Sequence, residues 1–387
     1  MKPIVLHIVN DFSMGGVSSV LYELTKYHKK SAYQYVILNL TGKGDASVNK
    51  KFEALEVPIY NANFLYTEGY TLIDQYKKAY FVRSCFKDNK SVLDIINNIG
   101  PSIIHTHVLP FELYVLRKVT RNINCLFIHT DHLVRLSENE MKAVSYSLIK
   151  FPFKKFYKNV HVIAVSDAVK NYLVKFGINK GLSSLQVITN KLPANSKTIS
   201  YVEKPEYKVV YVARISEVKG HVDLIAAWRD LPKLNLHLYI IGPDELNGRI
   251  QELVHKSVIN NKISFTGSIN NVSKFISDAD MAVFPSHKEG LPIALLEKMQ
   301  IGIPCVVSDI DELKSIITDS QNGLIFKCGD TVDLIKKIIA LASDLNLRKK
   351  LGVSAKLTVE EKFVSKLGGI DKEYELLYSK LLSLNNN

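Results

Sequence analysis

Glu289 and Glu297 stand eight positions apart and enclose the run Gly290-Leu291-Pro292-Ile293-Ala294-Leu295-Leu296. Ionised carboxylates accept several hydrogen bonds and suit the paired hydroxyls of a sugar. Pro292 fits the first turn of a helix. The spacing therefore places Glu289 at a helix mouth and Glu297 about two turns inside it. Unpaired N–H groups at such a mouth favour an anion such as a diphosphate. Further back, Arg214 and Lys219 lie five apart between a strand-like and a helix-like stretch. A guanidinium grips phosphate with two parallel bonds and an ammonium acts as a point charge, so the pair can neutralise a diphosphate. Near the start, Gly15-Gly16 would let the backbone approach a phosphate closely. Histidines end two apolar runs, His105 and His107 in one, His129 and His132 in the other. Cations, carboxylates and close backbone in one protein are parts that can hold a ligand bearing both phosphate and hydroxyl groups.

Other apparent motifs carry less. Asp278-Ala279-Asp280 spells a D-x-D, but it closes a helix just before a buried strand, a poor place for a metal. Thr41-Gly42-Lys43-Gly44 lacks the spacing of a phosphate-binding loop. Cys85, Cys125, Cys305 and Cys328 form no C-x-x-C pair, which excludes a disulfide framework and a zinc finger and suits a reducing cytoplasm.

These residues need a scaffold, and the sequence outlines one. In the first half, Pro3–Val9, Tyr35–Leu40, Ile103–His105, Cys125–His129, Val160–Val165 and Leu185–Ile188 read as strands, with helical stretches such as Ser18–His28 and Lys90–Asn98 between them. Apolar strands alternating with helices predict a parallel sheet covered on both faces. The pattern lapses at residues 193–207 and restarts. Strands are then predicted at Lys208–Val212, Leu236–Ile241, Ile263–Thr266, Met281–Pro285 and Cys305–Ser308, with helices between them. The expectation is an α/β chain of two doubly wound domains, 1–197 and 198–368, with a final helical segment over 369–387 that packs back on the first. The length of 387 residues suits two such cores. Met1–Val9 is short and broken by His7, so it reads as a buried strand and not as a leader. No run of about twenty apolar residues predicts a membrane span.

The net charge is +12, and residues 1–197 carry the whole surplus, with 26 Lys/Arg against 14 Asp/Glu. A basic half points to an anionic partner. Lys150, Lys154, Lys155 and Lys158 alternate with Phe151, Phe153, Phe156 and Tyr157, and Tyr76–Arg83 repeats the theme, so peripheral contact with an anionic membrane is expected. No nucleic-acid motif accompanies the charge.

The Glu289–Glu297 segment resembles the E-x7-E signature of retaining glycosyltransferases of family 4, and the likeness extends over nearly the whole chain. Asn10-Asp11-Phe12-Ser13-Met14-Gly15-Gly16-Val17 is similar to the glycine loop that meets the donor diphosphate. Ile103–His107 resembles the family's H-x-H strand end. Phe127-Ile128-His129-Thr130-Asp131-His132 resembles the strand whose terminal histidine faces the donor sugar; His132 fits one form of that motif and His129 another. Arg214 and Lys219 match the family's cations, and Phe265-Thr266-Gly267-Ser268 matches the turn that holds the base through its backbone. Departures occur at Asn190-Lys191-Leu192-Pro193, at the shortened Gly242-Pro243 loop, and at Asp311-Glu312 in place of a Gly-Gly.

The resemblance implies the GT-B fold, two Rossmann-like domains facing across a cleft. It implies an NDP-sugar in the second domain, with Glu297 on the ribose and Glu289 on the sugar hydroxyls. Arg214, Lys219, Gly16 and the helix start at Gly290, Leu291, Pro292 and Ile293 would hold the diphosphate. It further implies retention of configuration, no metal and no cofactor, a UDP-sugar before a GDP-sugar, and a glycan or lipid-linked acceptor. The family's common setting is bacterial surface polysaccharide, such as capsule, O-antigen or lipopolysaccharide, made at the inner face of the cytoplasmic membrane. A GT-B sugar-nucleotide epimerase and a non-catalytic carbohydrate-binding subunit are the competing readings. The intact glutamates and cations favour transfer.

Overall fold

The computed structural model describes residues 2–12, 16–62, 90–132, 154–178, 184–232, 234–257, 259–269, 271–364 and 369–385. The chain forms two compact units, Met1–Thr189 with Leu367–Asn387, and Asn190–Lys366.

The first unit holds strands β1 (Ile4–Val9), β2 (Gln34–Asn39), β3 (Ile59–Asn61), β4 (Ile103–His107), β5 (Leu126–Asp131), β6 (His161–Ala164) and β7 (Ser184–Val187), all parallel, in the order β3-β2-β1-β4-β5-β6-β7. The central strands are buried almost end to end, as a sheet covered on both faces demands. Their polar interruptions are therefore informative. His7, His105 and His107 share one face, because His7 and His105 are register partners and His107 follows by two residues. His129 pairs with Thr106 and points to the other face.

The helix Ile370–Asn385 completes this unit. Ile370, Tyr374, Leu377, Tyr378 and Leu381 recur at helical spacing and enter the first core with Val9, Leu21, Ile103 and Ile128. Leu376 and Leu384 fall on the opposite side and are exposed. Polar tips pin the helix as well. Tyr378 Oη lies 2.7 Å from His105 Nδ1, Tyr374 Oη 3.3 Å from Thr130 Oγ1, and Tyr33 Oη 2.9 Å from Ser379 Oγ.

The second unit holds β8 (Tyr207–Val212), β9 (Leu236–Ile241), β10 (Ile263–Gly267), β11 (Met281–Phe284), β12 (Cys305–Ser308) and β13 (Leu324–Phe326), again parallel, in the order β10-β9-β8-β11-β12-β13. It begins earlier than the sequence suggests. Leu192 N donates to Phe363 O at 2.7 Å, Gln300 Nε2 to Pro193 O at 2.7 Å, and Lys191 Nζ to Lys362 O at 2.7 Å. The run Pro193-Ala194-Asn195-Ser196 breaks the strand–helix alternation, while the hydrogen bonds assign the segment to the second unit. Strands β3 and β13 add one member to each expected sheet. Each has three residues, too few for a readable period.

Candidate active site

In each unit the strand order reverses beside the first strand, at β1/β4 and at β8/β11. A crevice opens at such a switch point, beyond the carboxyl ends of the strands, where open α/β sheets bind ligands. The second unit places the predicted charged groups there.

Two glycines let the loops close up. Gly220 has φ 67°, and a Cβ on it would lie 2.0 Å from the Pro285 carbonyl oxygen. Gly242 has φ 149°, and its Cβ would lie 2.0 Å from the Ala213 carbonyl oxygen. No other residue type fits either position without moving backbone. The loop after β8 thus packs on the loop after β11, where His287 N donates to Val218 O at 2.9 Å.

This contact brings Lys219 to Glu289. Lys219 Nζ donates to Glu289 Oε1 at 2.6 Å, and Ser286 Oγ donates to the same oxygen at 2.7 Å. Tyr211 Oη fixes the lysine's backbone by donating to Lys219 O at 2.5 Å. Both charged side chains are largely buried, 16% and 10% exposed. Arg214 turns to another partner and pairs with Glu245 at the end of the β9 loop. The two cations expected to act as a clamp therefore have separate carboxylates.

Glu297 lies on the helix Ile293–Gln300, with its side chain 43% exposed and its Oε2 3.3 Å from Lys298 Nζ. Burial lowers the Lys298 pKa, and Glu297 opposes that shift. The helix starts at Ile293, one residue later than Pro292 suggests, and Ile293 N–H is already spent on Leu291 O at 2.9 Å. Gly290, Leu291 and Pro292 are buried beneath it. Gly267 ends β10 and Ser268 follows it, both exposed; Gly267 has φ 62°, and a Cβ there would meet no described atom within 4 Å.

Sequence reasoning missed Ser286 and Tyr211, which aim Glu289 and Lys219, because a serine and a buried tyrosine give no local signal. It gave Glu312 no role. Burial pushes that carboxyl up to about 7, and Asp311 and Glu289 add to the shift. Asp278 and Asp280 precede β11, at the opposite end of the strand from Glu289. Asp278 pairs with Lys208 at 2.7 Å and Asp280 with Lys204 at 2.7 Å, so lysines hold both carboxylates.

In the first unit, Gly15 lies outside the described residues. Gly16 opens the helix Gly16–Thr25, and a Cβ on it would meet no atom within 4 Å. Packing among the described residues does not demand a glycine there. The two competing histidines separate clearly. His129 is fully buried on the face of Asp131 and Tyr157, with its Nδ1 2.9 Å from Thr106 Oγ1. His132 is half-buried on the other face, with its Nε2 3.0 Å from His107 Nδ1.

Behind His132 lies a histidine cluster that sequence reasoning left as separate residues. His107 Nε2 is 3.1 Å from His7 Nδ1, and nitrogens of His7, His105 and His107 fall within 4.8 Å of one another. Both His105 nitrogens sit 2.7 Å from hydroxyls, those of Tyr378 and Thr130. Burial pushes His7 down to about 3 and lowers His105 and His107, so the imidazoles are neutral at pH 7. Among the described residues every nitrogen of the three rings except His7 Nε2 has a partner, so the cluster is a hydrogen-bonded network.

Of the basic–aromatic tract, Lys150–Phe153 and the earlier Tyr76–Arg83 lie outside the described residues. Lys154, Lys155 and Lys158 are exposed, but Phe156 and Tyr157 are buried, and Tyr157 Oη donates to Asp131 Oδ2 at 2.5 Å. These two aromatics serve the first core and are not available to a bilayer.

Comparison with known proteins agrees with this geometry. Residues 14–190 match the pattern described as Glycosyltransferase Family 4, and residues 195–358 match Glycosyl transferases group 1. An uncharacterized glycosyltransferase of Methanocaldococcus jannaschii is 28% identical over 66% of this chain and 68% of its own. A Campylobacter jejuni α-1,4-N-acetyl-D-galactosaminyltransferase, named for an undecaprenol-diphosphate-linked acceptor, is 23% identical over 90% of this chain and 91% of its own. The Anabaena HepE structure with UDP-glucose superposes with a TM-score of 0.75 at 17% identity, covering 97% of this chain and 100% of that one. Two parallel α/β units, matched in turn by two consecutive patterns that together span most of the chain, make this protein a GT-B glycosyltransferase of family 4, group 1.

Proposed function

We propose that the protein transfers a sugar from a UDP-linked donor to a glycan or lipid-linked acceptor, with retention of anomeric configuration, in the assembly of a bacterial surface polysaccharide. One observation carries the reading: Glu289 is held by Lys219 and Ser286 at the β8/β11 switch point. A carboxylate fixed beside an ammonium can hold sugar hydroxyls on one side and offer positive charge to the diphosphate on the other. Arg214 adds a second cation and Glu297 takes the ribose. Gly16 gives the diphosphate close access to a helix start. His132, the accessible histidine of the two, contacts the donor sugar. In the reaction the bond from the anomeric carbon to the diphosphate oxygen breaks. A bond to the acceptor oxygen forms, and the acceptor's proton passes to the departing diphosphate.

The donor class is supported by the UDP-glucose bound to HepE, and the acceptor class by the Campylobacter relative. A cytoplasmic site at the membrane's inner face fits such an acceptor. Among the described residues no helix is long and apolar enough to cross a membrane. The roles of Arg214 and Lys219 make a dissociable metal unnecessary.

The test is a panel of UDP- and GDP-sugars with lipid-linked acceptors. Free UDP should form only when acceptor is present, and the product's anomeric proton coupling should match the donor's. UDP release without acceptor, or epimerised donor, overturns the reading, and an inverted product removes retention.

A further inference from the structure

Three imidazoles form a series in the first unit: His7 Nδ1 to His107 Nε2 at 3.1 Å, and His107 Nδ1 to His132 Nε2 at 3.0 Å. The series runs from the interior of β1, through the end of β4, to the half-buried residue after β5. We propose that His107 is a positioning residue that donates its Nδ1–H to His132 Nε2, so that His132 carries its own proton on Nδ1.

The direction of the series follows from counting protons. A neutral imidazole has one N–H and one lone pair. His107 uses both nitrogens, so the two bonds must point the same way along the series. If they ran inward, His7 would accept at Nδ1 and hold an N–H at Nε2. Among the described residues His7 Nε2 has no partner and no exposure. A buried N–H without an acceptor is rarer and costlier than an unused lone pair. The bonds therefore run outward: His7 Nδ1–H to His107, then His107 Nδ1–H to His132. The strong lowering of the His7 and His107 pKa values by burial keeps both rings neutral, as this count requires.

The surroundings hold the order in place. His105 stacks near His107 with ring centres 4.3 Å apart and is itself fixed by Tyr378 and Thr130. Tyr35 covers His7, with ring centres 5.6 Å apart. A free imidazole prefers the Nε2–H form, so the network imposes the opposite tautomer on His132. The consequence for catalysis rests on the reading that His132 contacts the donor sugar; the tautomer itself does not.

Two measurements separate these parts. Nitrogen-15 spectra of histidine-labelled full-length protein, assigned through His132→Gln and His107→Asn, report which nitrogen of each ring carries the proton. His132 protonated on Nδ1 is the expected result, and His132 protonated on Nε2 overturns the proposal whatever the enzyme does. In kinetics, His107→Phe should lower kcat about tenfold, the worth of one hydrogen bond, with the UDP dissociation constant unchanged. His107→Asn, which keeps an amide at the Nδ1 position, should restore most of it. Equal loss in both variants, with melting curves like the wild type's, also overturns the proposal. If His132→Ala leaves turnover within a few-fold of wild type, the sugar contact of His132 has failed, and the spectra still decide the tautomer.

Discussion

Lys219 Nζ lies 2.6 Å from Glu289 Oε1, joining two loops through residues 70 positions apart in sequence. The pair is largely buried, so neither charge can be removed without stranding the other. Lys219→Ala and Glu289→Ala should each abolish transfer. The double variant should be less destabilised than the sum of the singles, with a coupling of about 1–3 kcal/mol. Nucleotide binding should separate them: UDP affinity survives in Glu289→Ala and falls in Lys219→Ala. Additive destabilisation in urea melts, or equal loss of UDP affinity, would contradict this division of labour.

Arg214 pairs with Glu245, and both side chains are about two-fifths exposed. An exposed pair adds little stability. Arg214→Ala should therefore leave the melting temperature nearly unchanged while cutting kcat/KM roughly 10²-fold, as loss of a charge contact to the transition state does. EDTA should leave wild-type activity intact. A strict need for added Mg²⁺ or Mn²⁺ would reassign the charge that Arg214 and Lys219 are proposed to supply.

The buried imidazoles make the first unit sensitive to acid. His7 falls from 6.5 in the unfolded chain to about 3 in the fold, so between those values the unfolded chain binds the extra proton. The stability His7 contributes is complete above about pH 6.5 and is lost as the pH falls toward 3. Glu312, raised from 4.5 to about 7, acts with the opposite sign between those values. Comparing wild type with His7→Phe cancels the shared groups. The wild type should lose stability more steeply on acidification from pH 6.5 to 4, and identical slopes would show that His7 does not titrate in this way.

The exposed lysines of the tract at 154–158 bear on the membrane. With Phe156 and Tyr157 buried, the described part of this tract could offer a bilayer only Lys154, Lys155 and Lys158. Each contributes about 1 kcal/mol near an anionic leaflet, and the attraction fades with salt. Liposome sedimentation should need anionic lipid, weaken with salt and fall in the triple Lys→Gln variant. Phe156→Ala should instead lower the melting temperature, because it opens a hole in the core. Salt-independent binding would show that apolar insertion dominates.

The sequence by itself determined the class of the fold and pointed to the charged residues proposed for the site. Apolar runs record which faces each strand buries, so β8, β9, β10, β11 and β12 were readable without partners. Glu289 with Glu297, and Arg214 with Lys219, were readable because each pair stands at a short spacing within one strand–loop–helix segment. The tertiary structure decided what no local pattern contains. Strand order brought Lys219 to Glu289 and His7 to within 3.1 Å of His107, one hundred residues away. The pleat sent His129 inward and left His132 accessible, a difference of face that a motif spelling both histidines does not express. Burial claimed Phe156 and Tyr157, which their sequence neighbours had marked as surface. The helix Ile370–Asn385 joined the first core through Tyr374 and Tyr378, whose hydroxyls meet Thr130 and His105. The physical reason is common to all these cases. Periodicity reports the environment an element needs, and only the packed sheet decides which other element supplies it.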